Sequence, residues 1–334
     1  MNDYTLKPSG ETISGLSLGS WGMSGASVWG TNEEAASIRT IHAALDYGIN
    51  LIDSAEAYGN GEAERVLGKA IRDRRSNILI ATKVTASNMG SPQQIRDSCE
   101  NSLRIMKLNE IDIYQIHWPS PENDYEEILA TFETLQKEGK IRYISVCNFG
   151  YGALKEIEGR NDILMNQMPY SLIWRQAEDI IETSYRDYHL PTWAYSPLAQ
   201  GLLTGKFKTL DDVPTHRRSS RFYDGTESGS ANHGDTGFES EIFAYLDTLR
   251  ELERETGYTM LEMALAFLRT RETTASILAG ARSEKQLQEL VEAYEKNVPG
   301  ELITELVNSS EKLKEQMGPN PDMWNAEGER GRFY

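Results

Sequence analysis

The chain has 334 residues, 39% of them hydrophobic and 25% charged, enough for one large barrel or two ordinary globular domains. Its formal net charge is −17, a field that repels nucleic acid and anionic membrane surfaces but leaves room for a phosphate-bearing ligand held by local cations. No apolar run of about 18 residues, no basic-then-apolar start and only two cysteines, Cys99 and Cys147, argue against a membrane helix, a secretory signal and a disulfide framework, so a cytoplasmic protein is expected.

Short apolar runs alternate with longer amphipathic stretches. In chain order the runs are 15–19, 49–53, 78–83, 111–117, 141–146, 163–167, 192–195 and 275–280. Each has the length of a strand buried on both faces. Helical patterns fill the intervals at 33–47, 62–73, 92–106, 125–137, 151–158, 176–188, 241–255 and 284–294. Asn32 before Glu33-Glu34 reads as a helix start, and Ser91-Pro92 puts proline at a first helical position. Gly48 and Gly139 stand where helices end. Eight strand–helix units without a linker between halves predict a single (β/α)8 barrel domain of the TIM type. The segment 206–240, rich in Ser, Gly, Arg and Asp, is a long loop after the seventh strand. The tail 318–334 is irregular but carries Trp324, Phe333 and Tyr334, which suit either docking or a frayed end.

In such a barrel, chemistry collects at the C-terminal ends of the strands. The second run ends in Asp53, the third in Lys83 and the fourth in His117, and Tyr58 follows the second on a loop. Reduction of a carbonyl requires a proton for oxygen as well as a hydride for carbon. A free tyrosine has a pKa of ~10, and an ammonium beside it favours the phenolate. Asp53 would hold Lys83 charged, and His117 could orient a carbonyl. Each residue alone has a plainer reading: a structural ion pair, a histidine satisfying a strand end, a packed aromatic. Four reactive types at one rim favour the joint reading, and no metal is required.

The segment Gly48-Ile49-Asn50-Leu51-Ile52-Asp53-Ser54-Ala55-Glu56-Ala57-Tyr58-Gly59 resembles the signature of the aldo-keto reductase family. Ala81-Thr82-Lys83, Gln115-Ile116-His117-Trp118-Pro119, the stretch 139–149 and the stretch 195–206 resemble its later segments, in order over roughly 15–294. The style is that of bacterial sugar- and inositol-associated reductases, which are similar to potassium-channel β-subunits. The resemblance implies Tyr58 as proton donor, Asp53 and Lys83 as its tuning partners and His117 as substrate orienter. It implies that Asn148 and Gln167, beside Cys147, hold a nicotinamide carboxamide and that Tyr195 stacks on the ring. Ser196, Leu198, Gly201, Lys206 and Gly280 would line the cofactor, with Arg282, Gln286 and Glu289 at the adenosine phosphate. That favours NADP(H) over NAD(H) and a small aldehyde, ketone or sugar as substrate.

Two positions depart from the family pattern. Cys147 stands where many relatives have Ser, and Leu290 where Asn often contacts adenine. Ser283 and Gln286 also have capping-box spacing. Arg217, Arg218 and Arg221 could reach phosphate from the long loop or form a solvated basic run. Loops near Trp21 and Trp29, 56–60, 118–123, Trp174 and 206–240 are expected to wall the pocket. Gly59-Asn60-Gly61 lacks the third glycine of a dinucleotide fingerprint, and Tyr151-x-x-x-Lys155 reads as a helix start. The competing function is a nicotinamide-binding redox sensor or regulatory subunit with little turnover, although no segment marks a partner surface.

Overall fold

Eight parallel strands close on themselves in the computed structural model, which describes residues 3–7, 9–25, 29–226, 231, 233–325 and 333–334. The barrel strands are β3 (Leu16–Gly19), β4 (Leu51–Asp53), β5 (Leu79–Val84), β6 (Ile111–Ile116), β7 (Ile141–Cys147), β8 (Ile163–Pro169), β9 (Thr192–Tyr195) and β10 (Thr274–Gly280). Sequential strands are neighbours, and β10 closes the ring on β3 through the pairs Ile277 with Leu16 and Gly280 with Gly19. This is the expected (β/α)8 barrel. All eight expected strands are present, with ends shifted by a residue or two.

Ahead of them β1 (Asp3–Thr5) and β2 (Thr12–Ser14) form an antiparallel hairpin that the alternation did not predict. Leu6 and Ile13 from this hairpin are fully buried with Leu51, Leu79, Ile113, Leu164 and Trp193. Full burial of such side chains contributes ~1.5–3 kcal/mol each, and here it plugs the N-terminal end of the barrel. At that end Asp112 is buried and pairs with both Arg75 and Arg142, which fixes β6 without touching the opposite rim.

The outer layer comprises α1 (Glu34–Asp46), α2 (Glu62–Ala70), α3 (Pro92–Met106), α4 (Tyr125–Lys137), α5 (Tyr151–Glu156), α6 (Glu178–Tyr188), α7 (Glu239–Thr256), α8 (Met260–Arg269), α9 (Glu284–Glu295) and α10 (Gly300–Met317). Ser91 caps α3 by accepting from the Gln94 amide, with proline at the first turn as read. Asn32 does not cap α1. Its amide donates to Met23 O and its carbonyl accepts from Ser37 Oγ, so the side chain ties the preceding loop down instead. The pattern of amphipathic stretches does not reveal α8 and α10. In α8 most residues are buried, so no polar face reveals a helical period, although Thr259 and Glu262 form a full capping box.

The long loop contains two short 3-10 turns, Leu210–Asp212 and Thr215–Arg217. Residues 227–230 and 232 of the loop, and 326–332 of the tail, lie outside the described residues, as do 26–28. Arg218 donates to the Leu210 and Val213 carbonyls, and buried Arg221 pairs with Asp235 while reaching the Asn320 and Asp322 carbonyls. Neither belongs to a solvated basic run; they stitch the loop to itself and to the tail. No helix among the described residues is long and apolar enough to cross a membrane.

Candidate active site

Three strand ends and one loop meet at the C-terminal rim. Lys83 on β5 is fully buried, and its ammonium lies 2.6 Å from both oxygens of Asp53 on β4 and 2.7 Å from the Ser54 carbonyl. The Tyr58 hydroxyl accepts from the same ammonium at 3.5 Å. Tyr58 is placed there by the turn after β4. Gly59 has a φ of +61°, and a Cβ on it would stand 2.5 Å from Ser24 O, so only glycine fits. The Trp21 ring stacks on Tyr58 with centroids 5.9 Å apart, and the His117 ring meets it edge-on at 5.9 Å. The four residues singled out, three at strand ends and Tyr58 on its loop, therefore converge.

Their electrostatics are dominated by burial. Loss of solvent pushes the Tyr58 phenol up to about 12, and the Lys83 charge offsets only part of this. The expected pull toward phenolate is present in direction but outweighed, so Tyr58 is a protonated phenol at neutral pH. Burial alone would depress the Lys83 ammonium, but the Asp53 charge reverses that and holds it above the usual lysine range. The arrangement offers a neutral O–H beside a fixed positive charge.

Asp53 Oδ1 also accepts from Gln167 Nε2 at 3.0 Å and from Gln115 Nε2 at 3.2 Å. Gln115 was not among the expected site residues. It is the penultimate residue of β6, where a polar residue in an apolar run is the available signal. Cys147 donates to Gln115 Oε1 at 3.4 Å, and burial pushes its thiol up, so the thiol supports this network instead of standing free. Asn148 donates to the His117 carbonyl and accepts from Tyr195 Oη, each at 3.0 Å. Asn148 and Ser196 both have positive φ, a conformation uncommon for residues other than glycine and one that re-aims the chain at a strand end.

Next to Trp29, Lys206, Arg217 and Arg282 form a cationic group. Loss of solvent lowers the pKa of Lys206 and of Arg217, and the neighbouring cations lower both further. No acidic side chain pairs with any of the three among the described residues. Arg282 donates to the Trp29 and Thr31 carbonyls at 2.7 and 2.6 Å, and Arg217 lies over the Trp29 ring. Gly201, with φ +99°, leaves space for the Lys206 ammonium, which a Cβ would approach to 2.9 Å. Leu198 and Gly201 border the turn after β9, and Gly280 ends β10. Gln286 and Glu289 stand on the exposed face of α9, where Gln286 Oε1 accepts from the Arg282 amide and Ser283 caps the helix. Leu290 is buried in the core, away from that face.

Aromatic walls rise above Tyr58. Trp324 of the tail meets Trp21 edge-on at 5.6 Å, Trp29 meets it at 5.5 Å, and Phe333 meets Trp118 at 5.7 Å. The tail therefore docks at the barrel mouth. Trp174 is not a wall. It is fully buried against Phe222 and donates to the Pro321 carbonyl.

A sequence profile described as the aldo/keto reductase family matches residues 15–311. The chain is 33% identical over 306 residues to an aldo-keto reductase of Bacillus subtilis, covering 87% of this chain and 88% of that one. It is 29% identical over 309 residues to an NADH-specific methylglyoxal reductase of Escherichia coli, covering 86% and 91%. Among solved structures, the glycerol dehydrogenase of Gluconobacter oxydans superposes with a TM-score of 0.77 at 26% identity, covering 96% and 97% of the two chains.

Proposed function

The chain belongs to the aldo/keto reductase family, a family of nicotinamide-dependent oxidoreductases acting on carbonyls, and from that premise we propose that it reduces an aldehyde, ketone or aldose carbonyl with NADP(H), Tyr58 giving the proton. The observation that carries the proposal is the buried Tyr58 hydroxyl beside a lysine locked to Asp53. When bound, the nicotinamide supplies the hydride. Tyr58 protonates the forming alkoxide oxygen, and the Lys83 charge stabilises the phenolate that remains. His117, edge-on to Tyr58, orients the carbonyl.

The residues present suit that cofactor. Lys206, Arg217 and Arg282 are three mutually repelling cations on a chain of net charge −17, which suits a polyanionic phosphate ligand. Arg282, with Gln286 and Glu289 nearby, is the group for a 2′-phosphate, which favours NADP(H) over NAD(H). Tyr195 offers a flat face, and Asn148 and Gln167 are the candidates for the carboxamide, although in this structure both amides are engaged with neighbours. Trp21, Trp29, Trp118 and Trp324 give apolar walls suited to a small carbonyl or sugar.

The test is NADPH oxidation, followed at the reduced-nicotinamide absorbance, against aldehydes, ketones and aldoses, with Tyr58→Phe run beside the parent. Turnover lost in the variant supports the reading. Tight NADPH binding without turnover in either protein favours a redox-sensing role and overturns it.

A further inference from the structure

The Tyr58–Lys83 contact, at 3.5 Å, is too long to hold a loop in place, and the ammonium's close contacts all go to Asp53 and Ser54. Something else must set the distance between phenol and ammonium. Two carboxylates flank Tyr58 in the sequence, Glu56 before it and Glu64 after it, and the proton-transfer group uses neither. Both reach across to the segment that carries Lys83, and they land on opposite sides of that lysine.

Glu64 lies in the first turn of α2 and is fully buried. Its Oε1 accepts from Thr82 Oγ1 at 2.6 Å. Glu56 Oε1 accepts from the Thr85 amide at 2.7 Å, from Thr85 Oγ1 at 2.8 Å and from Asn88 Nδ2 at 3.0 Å, while its Oε2 accepts from Ser98 Oγ at 2.6 Å. Between the two anchors the Ala63 amide donates to the Tyr58 carbonyl at 3.2 Å, so the tyrosine moves with the start of α2.

Helix electrostatics do not explain the buried acid. Glu62, in the same turn and paired with Arg65, already answers the positive end of α2 from the surface. Burying a carboxyl group as Glu64 does is costly, and burial lifts its pKa above the ordinary range. What the burial achieves is a short, directional bond to the residue next to Lys83.

We propose that Glu56 and Glu64 are positioning residues that pin the Tyr58 turn to the Lys83 segment at two points and so fix the separation of Tyr58 Oη and Lys83 Nζ. The inference rests on the proton-donor reading of Tyr58 above.

The variants are Glu64→Ala, Glu64→Gln, Thr82→Val, Glu56→Ala and the double Glu64→Ala/Thr82→Val, each in the full chain with NADPH and an aldehyde that the parent reduces. Glu64→Ala and Glu56→Ala should lower kcat roughly ten- to a hundredfold, the scale of a misplaced reacting group, with KM and NADPH affinity held near the parent. In the alcohol-oxidation direction their rate profile should move to higher pH, because the phenol has lost part of the nearby positive charge. Glu64→Gln keeps a carbonyl oxygen for Thr82 and should restore kcat. The double variant should lose little more than Glu64→Ala alone, since both changes break one bond. Should Glu64→Ala fail to fold, Thr82→Val reads the same bond from the strand with a side chain of the same shape. Parent kcat and pH profile in the folded variants, beside a dead Tyr58→Phe, would overturn this inference alone. Parent turnover in Tyr58→Phe would overturn the proton-donor reading and this inference with it.

Discussion

Lys83 Nζ stands 2.6 Å from both Asp53 oxygens but 3.5 Å from the Tyr58 hydroxyl, so the ammonium is bound to the carboxylate and merely faces the phenol. Its charge is thereby fixed in place without being neutralised by a phenolate at rest. On the proton-donor reading, a proton that passes from Tyr58 to the substrate oxygen leaves its negative charge on a phenolate facing a cation already in place, which is the sense in which such a site is preorganised.

Tyr58→Phe removes only the hydroxyl, and the ring keeps its contacts with Trp21 and His117. General acid catalysis is worth roughly 10²–10⁴-fold, so turnover should fall by that much while NADPH affinity, measured by fluorescence titration, stays at the parent value. Turnover within a few-fold of the parent would mean that another group delivers the proton.

The Tyr58 phenol, pushed up to about 12 by burial from an ordinary 10.0, gives the two reaction directions different pH dependence. Reduction needs the protonated phenol and should hold its rate until the pH nears that value. Oxidation needs the phenolate and should climb with pH throughout the neutral and mildly alkaline range. The raised pKa also bears on stability. The folded state keeps a proton that the unfolded state has lost, so this contribution is complete below pH 10 and disappears as pH rises through about 12. Denaturant melts of the parent and of Tyr58→Phe should therefore diverge in slope above pH 10. Parallel curves would contradict the buried-phenol assignment.

Lys83→Met tests the other half of the pair. Asp53 keeps Gln115 and Gln167 as donors but loses the one cation that pairs with it among the described residues. Leaving one partner of a buried pair costs about 3–5 kcal/mol, visible as a lower denaturation midpoint. The oxidation profile should also move to higher pH, because the positive charge that favours phenolate is gone. A variant as stable as the parent would mean that the buried carboxylate does not depend on the Lys83 charge.

These residues were legible because the barrel makes strand ends converge. Once 49–53, 78–83 and 111–117 read as consecutive parallel strands, Asp53, Lys83 and His117 had to share a rim, and Tyr58 followed on the adjoining loop. Gln115 was missed because nothing local shows that an amide one residue inside a strand end faces a buried carboxylate. Glu64 was missed for a related reason. In sequence it is an acid near a helix start, which reads as surface electrostatics, and only packing against α3 and β5 buries it. The hairpin β1–β2 has strands of three residues each, too short for a period to register. Arg218 and Arg221 read as a basic run because, Asp235 apart, their partners are backbone carbonyls, some of them in the tail about a hundred residues away.

Cofactor choice should turn on Arg282. Its guanidinium gives two of its five N–H donors to the Trp29 and Thr31 carbonyls, while Nε has no partner among the described residues, so donors remain for a phosphate. A charged hydrogen bond is worth about 1.5–3 kcal/mol, so Arg282→Ala should weaken NADPH binding about ten- to a hundredfold and NADH binding much less. Added salt should narrow the difference in the parent. Tighter binding of NADH than NADPH by the parent would remove the argument for a 2′-phosphate site.

Trp324 reaches the mouth from the far end of the chain and packs edge-on against Trp21, which in turn stacks on Tyr58. The tail segment holding it is itself bonded. Asp322 accepts from the Trp324 amide at 2.8 Å, and Arg221 of the long loop donates to the Asp322 carbonyl at 3.2 Å. The indole is thus a fixed wall of the space above the phenol, and its removal should act on the carbonyl substrate without touching the proton donor. Trp324→Ala should raise KM for aromatic or otherwise apolar carbonyls by roughly ten- to a hundredfold, the worth of an apolar side chain of about 1.5–3 kcal/mol. NADPH affinity and the pH profile of kcat should stay with the parent. If kcat falls instead and KM holds, Trp324 acts through Trp21 on the position of Tyr58, and the tail is part of the framework of the proton donor.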